Sequence, residues 1–326
     1  MQDSVIKGII SFIQSQKDLR ELAITWYGGE PLLYPDIILS ISEKIVSHCN
    51  ANNINFRAGM VTNGYLLSYS LAKLLSERAK VKWLQITLDG PPNIHNRRRF
   101  LKGGKGTFDK IVSNIVSVID LFKIIIRVNI DKNNFQFFPD LIDILKTLNL
   151  QGKISIGPGR VLAPTLACKD YVSNCFSSKT FAKMQFKFYK TLYASGFLPL
   201  VYPQPVTIPC NAVSPNFFVI DPNGKIQKCW ETIGIENEAV GDIRNPNLLS
   251  PNLVKWLNYS PFNIQKCKGC DVLPICMGSC PYHQIQRVSW LRQSDNCNRW
   301  KYSLKDFLLY AAQTINLNSE NKEVRV

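Results

Sequence analysis

The sequence lacks the marks of a membrane, secreted or disordered protein. No stretch of the 326 residues approaches the roughly 20 uncharged apolar residues of a membrane span. Residues 1–17 include Asp3 and no small-residue cleavage site, and Val5, Ile9, Phe12 and Ile13 share one helical face, which indicates an amphipathic helix and not a signal peptide. Internal repeats and low-complexity tracts are missing as well. We therefore expect a globular cytoplasmic protein with no membrane association.

Acidic residues are scarce, since 24 Asp and Glu stand against 39 Lys and Arg, for a formal net charge of +15. The basic residues are scattered apart from Arg97, Arg98 and Arg99, and no basic tract is interleaved with aromatic residues. We therefore expect no nucleic-acid binding. A basic surface of this kind can still attract an acidic peptide or an acidic redox partner.

Histidine is also scarce, with three residues and none at metal-ligand spacing, but the chain has ten cysteines. Seven of them fall after residue 205, four within the stretch CKGCDVLPICMGSC. Because disulfides are rare in a reducing cytoplasm, such short spacings favour a metal site. A zinc ion needs four ligands, whereas iron–sulfur clusters need four cysteines each and their motifs often end in Cys-Pro, as Cys280-Pro281 does here. Clusters are favoured, and zinc or merely packed thiols remain as alternatives.

The first half of the chain alternates between predicted strands and helices. We expect strands at 21–27, 55–62, 81–88, 124–131 and 152–157, and helices at 2–17, 35–50, 66–79, 107–122 and 137–149. Repeated units of this size predict an α/β fold with an open or partial barrel. The runs WLQITL and IIIRVNI are nearly continuous apolar stretches, which predicts parallel strands buried on both faces.

Four unusual tripeptides follow predicted strands: GGE at 28–30, TNG at 62–64, LDG at 88–90 and NID at 129–131. Gly and Asn are ordinary turn residues, so each tripeptide alone could be a plain turn. The carboxyl ends of parallel strands meet at one edge of the sheet, where such folds place their functional residues. We therefore expect these tripeptides to form a single rim.

The pattern changes after residue 160. Residues 161–205 are predicted to connect two domains and to contain a helix at 180–195. In the second domain, FFVIDPNGKIQKCW predicts a β-hairpin that turns at 221–224, and a helix is expected at 300–316. The predicted domains are thus 1–160, a truncated partial barrel, and 206–326, which is rich in cysteine.

The cysteine spacing resembles the SPASM extension of radical S-adenosylmethionine (SAM) enzymes, C-x(9–15)-G-x4-C, a gap, C-x2-C-x5-C-x3-C, a gap and a final C. Thirteen residues separate Cys210 from Gly224, four separate Gly224 from Cys229, and the middle block matches residue for residue. The resemblance implies one [4Fe–4S] cluster on Cys267, Cys270, Cys276 and Cys297, and a second on Cys210, Cys229 and Cys280. The second set is one ligand short, and the sequence leaves open whether Cys168, Cys175 or no residue completes it.

The resemblance also assigns the rim to SAM. In this family the GGEP turn, here Gly28, Gly29, Glu30 and Pro31, presents backbone groups to the amino group of SAM. In the segment ITLDGPPNIHNRRR, Thr87 stands where a residue contacts the ribose, Asp89 holds a turn, and Arg99 matches the arginine that faces the SAM carboxylate. The remaining predicted rim residues are Thr62 and Asn63.

One family motif is missing. These enzymes carry C-x3-C-x2-C after the first barrel strand, some 40 residues before GGEP, whereas here GGEP begins at residue 28. We expect that the chain is truncated at its N-terminus, that it lacks the first strand of a (β/α)6 barrel, and that it does not cleave SAM by itself. The helix at 2–17 stands where the first barrel helix should be.

The resemblance implies a maturase that modifies a peptide or protein side chain, with a flavodoxin-like or ferredoxin-like reductant. Sulfatase-maturing members have an aspartate directly after the hairpin cysteine, whereas Trp230 follows Cys229 here, which argues against sulfatase maturation. Glu231 is the remaining candidate for a catalytic base. The alternatives are a non-catalytic iron–sulfur or peptide-binding partner of a split maturase, and a zinc-bearing structural protein.

Overall fold

The structure, a computed structural model, describes residues 1–163, 166–198, 200–246, 248–285 and 297–323. The chain divides into two compact units that are discontinuous in sequence. The barrel unit comprises residues 16–176 and 187–200, and the cysteine-rich unit comprises residues 1–15, 177–186 and 201–326. Within the described ranges, no helix is both long enough and apolar enough to cross a membrane.

Strands and helices alternate through the first 160 residues, which confirms the predicted α/β class. The elements are α1 (Asp3–Gln14), β1 (Glu21–Trp26), α2 (Pro35–Ala51), β2 (Asn55–Thr62), α3 (Tyr69–Glu77), β3 (Val81–Thr87), α4 (Pro92–Arg98), α5 (Phe108–Ser117), β4 (Lys123–Ile130), α6 (Phe138–Thr147) and β5 (Ile154–Arg160). The helix α4 was not predicted, although Pro92 at its first position is a normal helix start.

The barrel unit is built on a parallel sheet of five strands in the order β1-β2-β3-β4-β5. Alternate residues of β4 are buried, including Ile124, Ile126 and Val128, while Arg127 and Asn129 between them are half-buried. The expectation that β3 and β4 are buried on both faces was therefore wrong. The pairing of Thr87 with Arg127, and of Arg127 with Gly157, places these residues on the half-buried side, called the open face below.

The second unit contains the predicted hairpin and a small core. It continues with α7 (Ser178–Ala194, shared with the barrel unit), β6 (Val219–Ile220), β7 (Lys225–Gln227), β8 (Gly241–Asp242), α8 (Pro251–Leu257), α9 (Leu273–Cys276), α10 (Pro281–Ile285) and α11 (Arg299–Glu323). Strands β6, β7 and β8 pair antiparallel, and Gly224 supplies the left-handed residue of the hairpin turn with φ +88°.

Helix α1 packs into this second core, although its sequence position is that of the first barrel helix. Val5 is fully buried in one cluster with Ile226, Ile243 and Trp256. The contact is close, because a Cβ atom on Gly8 would lie 2.6 Å from the carbonyl oxygen of Ile243. Amphipathicity therefore predicted correctly which face of α1 is buried, but it carried no information about the surface against which that face packs.

Candidate functional site

The GGE turn after β1 is held to the end of β2 by the side chain of Glu30. One carboxylate oxygen, Oε1, accepts hydrogen bonds from the Leu32 amide at 3.0 Å and from the Thr62 hydroxyl at 2.6 Å. The other oxygen, Oε2, accepts from the Asn63 amide at 2.7 Å. Glu30 is therefore used to join two strand ends, and the backbone groups of the turn are left to meet a ligand.

The two glycines of this turn leave space in front of the rim. A Cβ atom on Gly28 or Gly29 would meet no heavy atom within 4 Å. Gly28 also has φ +156°, a conformation that side chains disfavour. The turn is thus shaped so that a ligand can approach the backbone directly.

Asp89 organises the end of β3. Its side chain is 2% exposed, its Oδ2 atom accepts from Arg99 Nε at 2.8 Å, and its Oδ1 atom accepts from the Asn129 amide at 2.9 Å. Asp89 therefore ties the segment after β3 to the end of β4. Arg99 is 37% exposed and spends its Nε on Asp89, which leaves its two terminal nitrogens to face a ligand.

A second charged pair lies at the end of β4, and the sequence did not single it out. Asp131 is fully buried and accepts from Arg98 Nη1 at 2.7 Å and from the Tyr171 hydroxyl at 2.6 Å. Burial acts to raise the pKa of Asp131, but the hydrogen bonds from Tyr171 and Arg98 outweigh it and hold that pKa below its usual range. The available signal was the position of Asp131 in NID at a strand end and of Arg98 in the arginine run.

His95 is a structural residue of this rim. Its Nδ1 atom accepts from the Asp89 amide at 3.2 Å, and its Nε2 atom lies 3.1 Å from the Thr107 hydroxyl. That hydroxyl donates to the carbonyl of Arg99 at 2.8 Å, so the imidazole donates through Nε2. Burial lowers the pKa of His95 to about 4, with the neighbouring Arg98 and Arg99 acting in the same direction and Asp89 against them. A neutral His95 therefore fixes the backbone that carries Arg99.

Four of the seven predicted metal-binding cysteines line one cavity in the cysteine-rich unit. Val272, Leu273 and Gly278 complete much of the wall, and the Lys301 ammonium lies 3.7 Å from the Cys270 sulfur. The lysine can offset negative charge on a thiolate there. The four cysteines are Cys267, Cys270, Cys276 and Cys297, the set that the resemblance assigned to one cluster.

The other three predicted ligands are electrostatic neighbours. The pKa of Cys229 is raised to about 12, mainly by burial; a hydrogen bond from the Glu231 backbone opposes the rise, and the nearby Cys280, Glu231 and Cys210 add to it. Burial also raises the pKa of Cys280, and the nearby Cys210 and Glu231 act in the same direction. Glu231 thus lies on an exposed turn beside these thiols.

No three Cys, His, Asp or Glu side chains of the described residues are close enough together to bind a single metal ion. Four thiols around one cavity are the donor set that an iron–sulfur cluster needs.

The remaining cysteines lie elsewhere. Cys49 is fully buried on α2, which fits a core thiol. Cys168 and Cys175 belong to the barrel unit and lie near each other, since Cys168 contributes to the raised pKa of Cys175, after burial as the main cause. The Cys175 thiol donates to the carbonyl of Tyr171 at 3.5 Å.

Comparison with known proteins relates the chain to one superfamily. Residues 9–146 match the radical SAM superfamily model. A cysteine-type anaerobic sulfatase-maturating enzyme of Clostridium novyi (strain NT) is 25% identical over 277 residues, which cover 78% of this chain and 71% of that enzyme. A serine-type anaerobic sulfatase-maturating enzyme of Bacteroides thetaiotaomicron is 22% identical over 326 residues, covering 89% of this chain and 76% of that enzyme.

Solved structures with the same fold share fewer residues. Native anSMEcpe with bound AdoMet and the Cp18Cys peptide superposes with a TM-score of 0.68 and 18% identity, covering 98% of this chain and 92% of that chain. The complex of native anSMEcpe with AdoMet and the Kp18Cys peptide gives a TM-score of 0.64, also at 18% identity, covering 96% and 91%. At this identity the likeness establishes the fold.

Proposed function

Because this chain carries a radical SAM domain, we propose that it is a SPASM-type maturase, or part of one, which modifies a side chain of a peptide or protein substrate. The observation that carries the proposal is the cavity lined by Cys267, Cys270, Cys276 and Cys297, in the same chain as an open GGE turn. Peptides bound beside AdoMet in structures of the same fold support a peptide substrate.

The rim is proposed to bind SAM. The backbone of Gly28 and Gly29 takes the amino group, Arg99 takes the carboxylate through its terminal nitrogens, and Thr87 faces the ribose. Asp89 and Glu30 act on SAM only indirectly, since both hold the turns that carry the contacting groups. Thr62, Asn63 and Pro31 complete that support.

The seven cysteines are proposed to hold two auxiliary [4Fe–4S] clusters. The cavity set forms one complete site, and Cys210, Cys229 and Cys280 form a second with three protein ligands. The fourth position of the second site goes to Cys168, to Cys175 or to a bound ligand. Bound SAM and iron–sulfur clusters supply hydrogen-atom abstraction and an electron acceptor, and the protein positions the substrate.

The sequence contains no C-x3-C-x2-C motif, and we expect the chain not to cleave SAM by itself. Strand β1 pairs with β2 on one side and with no other described strand. Its other edge can accept one more parallel strand, either from the same polypeptide or from a partner protein that carries the motif. A non-catalytic partner in a split maturase is therefore the second candidate.

The substrate is proposed to be a peptide other than a sulfatase, although the curated relatives are sulfatase-maturating enzymes. Trp230, 51% exposed, follows Cys229 where that branch has an aspartate. Glu231 lies near the second set of thiols and is the candidate base. An acidic flavodoxin-like or ferredoxin-like reductant suits the net charge of +15.

Anaerobic reconstitution tests the cluster assignment. Two [4Fe–4S] clusters correspond to about eight irons per chain. Removing Cys267 and Cys276 together should lower this to about four, whereas Cys49→Ala on α2 should leave it unchanged as a matched control. Zinc without iron in the reconstituted protein, or equal iron in all three proteins, would refute the proposal. Adding SAM and dithionite should give no 5′-deoxyadenosine until the missing motif is supplied.

A further inference from the structure

Arg127 lies on the open face of the barrel sheet and is held there by its neighbours. Its Nε atom donates to Asn129 Oδ1 at 2.9 Å, and the Asn129 amide donates to Asp89 at 2.9 Å. Its guanidinium extends over the next strand, since a Cβ atom on Gly159 would lie 2.5 Å from Nη2. The guanidinium is therefore preoriented, and the missing side chain at Gly159 provides the room for it.

Arg127 differs from two arginines of the rim in its charged partners. Arg99 pairs with Asp89 at 2.8 Å, and Arg98 pairs with Asp131 at 2.7 Å. In the part of the chain that the structure describes, Arg127 makes no ion pair with any carboxylate. A half-buried cation without a counter-ion is unfavourable, which makes this position complementary to an anion.

There is space beside Arg127 for such a group. Gly157 pairs with Arg127 on β5, and a Cβ atom on Gly157 would meet no heavy atom within 4 Å. Glycine inside a strand often marks the place where a ligand or another backbone approaches closely. The terminal nitrogens of an arginine match the two oxygens of a carboxylate.

Arg99 and Arg127 differ in their distance from the proposed amino site. In SAM the amino and carboxylate groups share one carbon atom, and the proposed amino site is the GGE turn after β1. Arg99 is held at the end of β3 by Asp89, whereas Arg127 lies on β4, three strand intervals from β1 and roughly 14 Å along the sheet at ~4.8 Å per interval. The SAM carboxylate is therefore assigned to Arg99, and Arg127 to a carboxylate that arrives with the other reactant.

We propose that Arg127 binds an Asp or Glu carboxylate of the peptide substrate and so selects acidic sequences. The inference rests on the proposed function only in taking the substrate to be a peptide. It makes Arg127 a residue that determines specificity, with Asn129 and Gly159 as its supports.

The test is retention of peptides by the iron-loaded chain. The protein is incubated at 150 mM salt with an equimolar pool of random dodecapeptides in which Asp and Glu are as frequent as Asn and Gln, and the retained peptides are sequenced by mass spectrometry. The wild type should enrich acidic over amide residues at one position. Arg127→Gln should lower that enrichment about tenfold, as expected for one charge-assisted hydrogen bond, and Arg127→Lys should keep part of it.

Lys123→Gln is the matched control, because it removes the same charge from the exposed first residue of the same strand. It should leave the enrichment unchanged. No acidic preference in the wild type, or an equal loss in Lys123→Gln, overturns the proposal. Iron content is measured in the wild type and in every variant. Iron content equal to that of the wild type shows that a variant is folded, and the wild-type iron content tests the proposed clusters. The role of Arg127 and the cluster assignment can therefore fail independently.

Discussion

The barrel unit and the cysteine-rich unit differ in what holds their candidate site residues in place. At the barrel rim, Glu30, Asp89 and Asp131 are already satisfied by hydrogen bonds from the protein itself. In the cysteine-rich unit the strands have two or three residues and α8, α9 and α10 have seven or fewer, while cysteines surround a cavity. A rim of this kind is held in place before it binds a ligand, whereas we expect the cysteine-rich unit to depend on its proposed iron–sulfur clusters for much of its order.

Removing the iron should produce the largest difference between the two units. We expect amides in 261–280 of the iron-free protein to exchange with deuterium at least about a hundredfold faster than in the loaded protein, because metal binding and folding are coupled in such regions. Strands β3 and β4 should exchange at unchanged rates and serve as the internal control. Exchange that accelerates equally in both units would show that the barrel also depends on the clusters.

A shift to acid pH should instead act on the barrel unit through His95. Its pKa is 6.5 in the unfolded chain and about 4 in the folded one. Between these pH values the unfolded state binds a proton at His95 that the folded state excludes. The full free energy of unfolding is therefore present above pH 6.5, and part of it is lost as the pH falls towards 4. From pH 7 to pH 4.5 the free energy of unfolding attributable to His95 should fall by about 2–3 kcal/mol.

The measurement is hydrogen exchange of the β3 and β4 amides at both pH values, corrected for intrinsic rates. In His95→Gln the amide side chain can still accept from Asp89 and donate to Thr107 but does not titrate in this range. The difference between the two pH values should therefore shrink in the variant. A pH dependence identical to that of the wild type would assign it to other groups.

The sequence predicted local features well, because they arise from short-range patterns. Strand β2 was predicted at 55–62 and found at Asn55–Thr62, since its apolar run ends at a glycine-containing turn. The same reasoning located the rim, because strand ends in a parallel sheet meet at one edge. The family resemblance, and not local pattern, grouped the four cysteines that the structure places around one cavity.

Contacts between distant residues were beyond that reasoning. Arg98 pairs with Asp131, 33 residues away, only because two strand ends are adjacent in space. Arg99 was assigned to a ligand, yet part of its guanidinium holds Asp89. The register that places Arg127 beside Gly157 likewise appears only in the folded sheet. Side chains that act through a partner on another strand carry no local sequence pattern.

The smallest effect on stability is expected at Gly29, where the contrast between a preformed rim and an open binding surface can be tested directly. A Cβ atom there meets nothing within 4 Å, so Gly29→Ala should change the free energy of unfolding by less than about 0.5 kcal/mol. In Gly59→Ala the new Cβ would lie within bonding distance of the Trp83 ring, and that variant should lose several kcal/mol of stability.

The added methyl of Gly29→Ala should nevertheless weaken SAM binding about tenfold, because it projects into the space where the ligand meets the backbone. Equilibrium dialysis of labelled SAM against the iron-loaded proteins measures this. If Gly29→Ala keeps both its stability and its affinity for SAM, the open turn does not contact SAM, and the rim is only the structural end of the sheet.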